Sequence, residues 1–155
     1  MVQDIHQDQK DNRKMKNNLI DSIESYIKLK KIPCSRLADN DAKMLIEKLV
    51  NHHSLDLSRL YLWEDIIPKA SFFYGDNSSL WEDRFYSFLQ DYDNEIYLSV
   101  TDDEFYPWEI FKCEKKTIIG LLNEQQYFEF FIFDISLKQI LFDTHHNELI
   151  LLEKQ

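Results

Sequence analysis

The chain has 155 residues, 44% of them hydrophobic and 14% aromatic, with only two glycines and three prolines. Such a chain is expected to fold around one core, and the composition excludes a low-complexity or disordered protein. Of the formal net charge of −10, nearly all falls in residues 76–109, where ten acids stand against Arg84 alone. That local field repels phosphate backbones and steers basic partners, so no direct nucleic-acid binding is expected.

Met1 to Asn18 are almost wholly polar and predict neither a signal peptide nor an anchor, with residues 1–13 as a disordered leader. No apolar run approaches the ~20 residues of a membrane span. Leu19, Ile20, Ile23, Tyr26 and Ile27 recur at helical spacing and predict a helix from about Lys14 to Lys30, closed by Pro33. The two cysteines, Cys34 and Cys113, lack metal-type spacing and are expected as reduced thiols. A second helix should start from a cap at Asp39 or Asn40, bury Ala42, Leu45, Ile46 and Leu49, and end near His52. Leu57, Leu60, Tyr61, Glu64 and Ile67 allow a third, stopped by Pro68.

Ser79 and Glu82 have the form of a capping box opening a helix with Trp81, Phe85, Phe88, Leu89 and Tyr92 on one stripe. Alternation follows, with Ile96, Leu98 and Val100 facing a core and Glu95, Tyr97, Ser99 and Thr101 on a wet face. Asp102-Asp103-Glu104 reads as a charged loop tip, followed by an aromatic link, a short strand at Ile110 to Cys113 and a short helix from Thr117 to Glu124. The run Tyr127 to Phe133 is apolar on both faces and suits a covered central strand. Gln139 to Asp143 should return from a hairpin, and Glu148 to Glu153 should form the last strand after a turn at Thr144 to Asn147. The fold class is therefore α+β: one domain, residues 1–155, with N-terminal helices packed on a C-terminal, mainly antiparallel sheet of four to five strands.

No catalytic motif emerges. There is no G-x-S-x-G, and two glycines cannot build a phosphate-cradling loop. His52-His53 and His145-His146 are the residue types of a metal site, and Asp143 and His145 would share a strand face, yet adjacent histidines diverge. We expect no enzyme activity, no metal and no cofactor. The acidic segment has more to offer, because acids and large aromatics interleave in it as they do in tight interfaces. Glu82, Asp83, Asp91, Asp93, Asp102, Asp103 and Glu104 would supply the field, and Tyr86, Tyr97, Tyr106 and Trp108 the anchors, on one surface.

A small acidic chain of this kind resembles a bacterial immunity protein, the inhibitor that shields a cell from its own contact-delivered toxin. The stretch from Tyr127-Phe128-Glu129-Phe130 through Asp143-Thr144-His145-His146-Asn147 to Leu151 also resembles a small bacterial family of unassigned role ending in aromatic strands and a His-His turn. The resemblance implies a cytoplasmic protein of a contact-dependent inhibition or polymorphic-toxin system, whose partner is a basic nuclease toxin domain. Two other classes compete. One is a homo-oligomeric adaptor or structural domain whose aromatic strand pairs across a symmetry axis, and the other a metal-assisted hydrolase using Asp143, His145 and His146.

Overall fold

The structure, a computed structural model, describes residues 18–154. Residues 18–30 are helical (α1), so the part of the first expected helix before residue 18 and the polar leader lie outside the described residues. The chain continues through β1 (Cys34–Arg36), α2 (Asp39–His53), β2 (Ala70–Phe73), α3 (Ser78–Leu89), β3 (Glu95–Val100) and β4 (Glu109–Glu114). A 3-10 turn at Lys115–Thr117 leads into α4 (Ile118–Asn123), then β5 (Phe130–Phe133), β6 (Gln139–Thr144) and β7 (Glu148–Glu153). The fold is α+β. Among the described residues the strands form one seven-stranded sheet in the order β1-β4-β3-β5-β6-β7-β2, every neighbouring pair antiparallel.

The two strands beyond the expected four to five are short edge pieces, β1 and β2, whose few residues carry no alternation long enough to read. Cys34 is brought opposite Cys113 by the β1–β4 register and joined to it in a disulfide, which corrects the expectation of separate reduced thiols. Pairing of distant segments closed a separation of 79 residues that spacing alone could not. Across the same edge, Arg36 bridges Glu24 of α1 and Glu109 of β4, and these two carboxylates hold its guanidinium above its ordinary range.

Helices cover both faces. On one, Ile20 and Ile23 of α1, Phe85 and Leu89 of α3 and Ile118 and Leu121 of α4 pack on Ile96, Leu98, Phe130, Ile132 and Leu141. On the other, Ala42, Ile46, Leu49 and Val50 of α2 pack with Leu62 on Trp108, Ile110, Phe131, Phe133, Ile140 and Phe142. Ser99 and Thr101, expected on a wet face, are therefore buried, because α2 and the segment after it cover that face as well. Although Tyr127, at the head of the two-sided apolar run, is exposed and the strand starts only at Phe130, all four residues of β5 are buried at the centre of the sheet, as that run implies. Its backbone is hydrogen-bonded to β3 on one side and β6 on the other, so it has no free edge for pairing with a second copy.

Other boundaries differ. Residues 57–67 form turns instead of a third helix, led by an Asx-type turn in which the Ser58 N–H and hydroxyl donate to Asp56 at 2.9 and 2.6 Å. Asp39 is the first residue of α2, and Ala38 occupies the cap position with no side-chain bond. The cap of α3 is Asn77, whose side chain accepts the Leu80 N–H at 3.0 Å, in place of a Ser79–Glu82 box. No described helix is long and apolar enough to cross a membrane.

Candidate functional site

β2, β3 and β6 run in one direction and β5 and β7 in the other. The links after β2, β3 and β6 and the residues before β5 and β7 therefore meet at one end of the sheet. There, two acids that interrupt apolar strand sequence, Asp143 and Glu129, are buried at 1% and 4% exposure. They serve opposite faces.

Asp143 sits on β6 opposite Phe130 and points to the face that α3 covers. Tyr74, just past β2, donates its hydroxyl to Oδ1 at 2.5 Å, and Trp81, in the first turn of α3, donates Nε1 to Oδ2 at 2.8 Å. Gly75, with φ +58°, takes the left-handed conformation that turns the chain from β2 towards α3. Burial pushes the Asp143 carboxyl up to about 7; the nearby charge of Glu129 adds to this, while the two hydrogen bonds oppose it. The Tyr74 and Tyr127 phenols are pushed up by burial and by the Asp143 charge. Together with Trp81, Phe128 and Phe130 these groups line an open cavity of about 310 Å³.

Glu129 points to the other face. Its Oε1 accepts Trp63 Nε1 at 2.7 Å, and its Oε2 accepts the His145 backbone N–H at 3.0 Å and lies 2.8 Å from His145 Nδ1. Its carbonyl accepts the N–H groups of Thr101 and Asp102, tying the loop after β3 to the start of β5. In that loop Asp103 accepts the Tyr61 hydroxyl at 3.0 Å, and burial, then Asp103, pushes the Tyr61 phenol up to about 12. Tyr61 stacks on Trp63 at 5.0 Å and lies 4.9 Å from His145, which is itself 4.1 Å from His146. The arrangement alternates carboxylates with aromatic rings.

Asp103, Glu129 and His145 bring one ligand-type atom each within 4.8 Å of the others. Two carboxylates and an imidazole could hold a divalent cation. Here, however, both Glu129 oxygens already accept N–H donors and His145 Nδ1 faces Glu129, so the group is a satisfied hydrogen-bond network. The expected sharing of a face by Asp143 and His145 is corrected: β6 ends at Thr144, and His145 lies in the following turn against Glu129. The other histidine pair is at the far end of the sheet, where half-buried His53 bonds the Leu137 carbonyl at 2.6 Å and burial lowers its basicity.

Of the predicted interface residues, Asp102, Asp103 and Glu104 lie at the carboxylate-rich end, just past β3. Glu82 and Asp83 stand exposed early on α3, Glu82 reaching Asn123 at the cavity rim at 3.5 Å, and Tyr86 follows on the same helix at 60% exposure. Asp91 and Asp93 precede β3 and fall at the opposite end, a strand of about 20 Å away. Tyr97 stacks on Phe133 at 5.3 Å and Tyr106 is half-buried, both on the face that α2 covers. Trp108 is a core residue at 5% exposure, its Nε1 donating to the Glu104 carbonyl at 2.7 Å. The one continuous surface expected from sequence is thus divided between two sheet faces and two sheet ends, because strand side chains alternate while α3 and α2 cover different sides. Among the described residues, Glu82, Asp83, Asp91, Asp93 and Glu104 make no ion pair, whereas Glu95 pairs with Lys112 and Glu109 with Arg36.

Tyr61, Trp63, Tyr74, Tyr127 and Glu129 belong to this end of the sheet and were not singled out as site residues by sequence. The one signal available was an acid inside an otherwise apolar run, Glu129 within Phe128-Glu129-Phe130 and Asp143 within Leu141-Phe142-Asp143. Compared with known proteins, the chain matches no family model, no curated protein and no solved structure.

Proposed function

We propose that the chain is a cytoplasmic immunity protein that binds and neutralises a basic toxin domain, a nuclease in the reading that the resemblance favours, through the carboxylate-rich end of its sheet. The observation that carries this is a charge imbalance. Asp103, Glu104 and Glu129 gather there beside Tyr61, Trp63 and His145, with Asp143 buried on the other face of the same end, and among the described residues none of the four is paired with a lysine or arginine. Carboxylates held where a nuclease binds phosphates speed encounter, and aromatic contacts slow dissociation.

Co-production with candidate basic toxin domains, taken first from any gene adjoining this one, tests the reading. The parent chain should restore growth, while a combined Asp103→Lys, Glu104→Lys variant should associate roughly tenfold or more slowly in stopped-flow measurements. Full protection by that variant, with an unchanged association rate, would remove this end of the sheet from the interface.

A further inference from the structure

The cavity over Asp143 has a composition that selects its occupant. Each oxygen of the carboxylate accepts one hydrogen bond, from Tyr74 and from Trp81, which leaves a second acceptor direction on each. No lysine or arginine among the described residues pairs with it. Tyr74, Trp81, Tyr127, Phe128 and Phe130 line the cavity together with neutral amides such as Asn123 and Gln126, and aromatic faces attract cations. A buried acid with neutral donors only, flanked by rings in an open cavity, is the complement of one positive charge on an apolar stem.

We propose that this cavity receives a single organic cation, an ammonium or guanidinium group on an aliphatic chain, with Asp143 as its counter-ion and the Tyr74, Trp81 and Tyr127 rings as its walls. The volume of about 310 Å³ accommodates a side chain of lysine or arginine size. One feature opposes the charge: α3 begins at the rim with Ser78, and the start of a helix carries up to about half a positive elementary charge. An ionised Asp143 with exposed Asp76 at the rim outweighs it. That the cation is a side chain of a toxin domain, and not a free amine, rests on the proposed function.

The groups facing Asp143 are Tyr74, Trp81, Tyr127 and, through the sheet, Glu129. The tyrosines stay neutral in the working range, which lies well below the ordinary phenol value of about 10. Ionisation of Asp143 therefore governs cation binding, which strengthens as pH rises through about 7.

The test uses the purified full chain and three probes, Nα-acetyl-arginine amide, Nα-acetyl-lysine amide and the neutral Nα-acetyl-norleucine amide, titrated by NMR. At about pH 8 the cationic probes should bind roughly tenfold or more tightly than the neutral one, and the advantage should largely vanish near about pH 5.5. Asp143→Asn should abolish the advantage at every pH. Tyr127→Ala, at the half-open mouth and outside the Asp143 hydrogen bonds, should reduce it roughly threefold with folding intact, and so decides the matter should Asp143→Asn fail to fold. Equal binding of the three probes, or cation binding unchanged in a folded Asp143→Asn variant, overturns the proposal. Measured on the toxin complex, Asp143→Asn should weaken affinity roughly tenfold. Loss of probe binding without loss of toxin binding keeps the cavity as an amine site, overturns the toxin as its source, and leaves the immunity reading to the Asp103 and Glu104 variants.

Discussion

Asp143 and Glu129 are both acids at the end of a central strand, both are nearly inaccessible, and their surroundings treat them differently. Glu129 accepts from one indole, one backbone N–H and one imidazole, whereas Asp143 has two neutral donors and an adjoining cavity. Removing the first should strand its donors: Glu129→Ala leaves Trp63 Nε1 and the His145 N–H unpartnered and should cost about 1–3 kcal/mol in urea unfolding. Removing the charge of the second should help. The Asp143 carboxyl is raised from 3.8 to about 7 on folding, so between those values the native state holds a proton that the unfolded chain has released. Stability from this group is complete below about pH 4 and is lost as pH rises through about 7. Asp143→Asn should therefore gain on the parent chain as pH increases, reaching on the order of 2–4 kcal/mol at about pH 8, and should show no gain at about pH 4. A difference in stability that does not change with pH would mean that Asp143 is not buried as a neutral acid.

Among the elements, α3 does most to define the site, because its first turn carries Trp81 to Asp143 while Phe85 and Leu89 anchor it on the sheet. Asn77, not Ser79, accepts a free N–H of the helix's first turn, that of Leu80. Asn77→Ala should cost about 0.5–2 kcal/mol in thermal or urea unfolding, whereas Ser79→Ala and Glu82→Ala should each cost a few tenths or less. The start of this helix was legible to within two residues, and the choice between asparagine and serine was not, since both satisfy capping rules and the turn at Gly75 decides which one precedes the first helical residue. The segment from Leu57 to Ile67 shows the opposite failure. Its helical spacing is real, but Leu62 and Trp63 are needed on the sheet as a cover for Phe131, Phe142 and Glu129, and a chain of turns delivers them.

At the scale of the molecule, the charge of −10 matters through where it is displayed. Surface fields are screened within about 8 Å at physiological ionic strength, so under the proposed function Asp91 and Asp93, a strand length from Asp103 and Glu104, would act on the toxin separately from them. Reversing Asp91 and Asp93 together should change toxin association much less than reversing Asp103 and Glu104; stopped-flow rates at low and high salt compare the two. Equal effects would point to the net charge, with no localised surface involved.

The sequence by itself determined the α+β class, the central two-sided strand β5, the β6 and β7 hairpin and the acidic middle of the chain, because periodicity and composition are local properties that survive without partners. Only the tertiary structure decided which acids meet, that Cys34 finds Cys113, and that Asp143 faces a cavity while Glu129 is sealed by Trp63 and His145. Those outcomes depend on strand order and on which helix covers which face. Both are set by pairing and packing among residues far apart in the chain, where alternation fixes that neighbours diverge and leaves open what each side will meet.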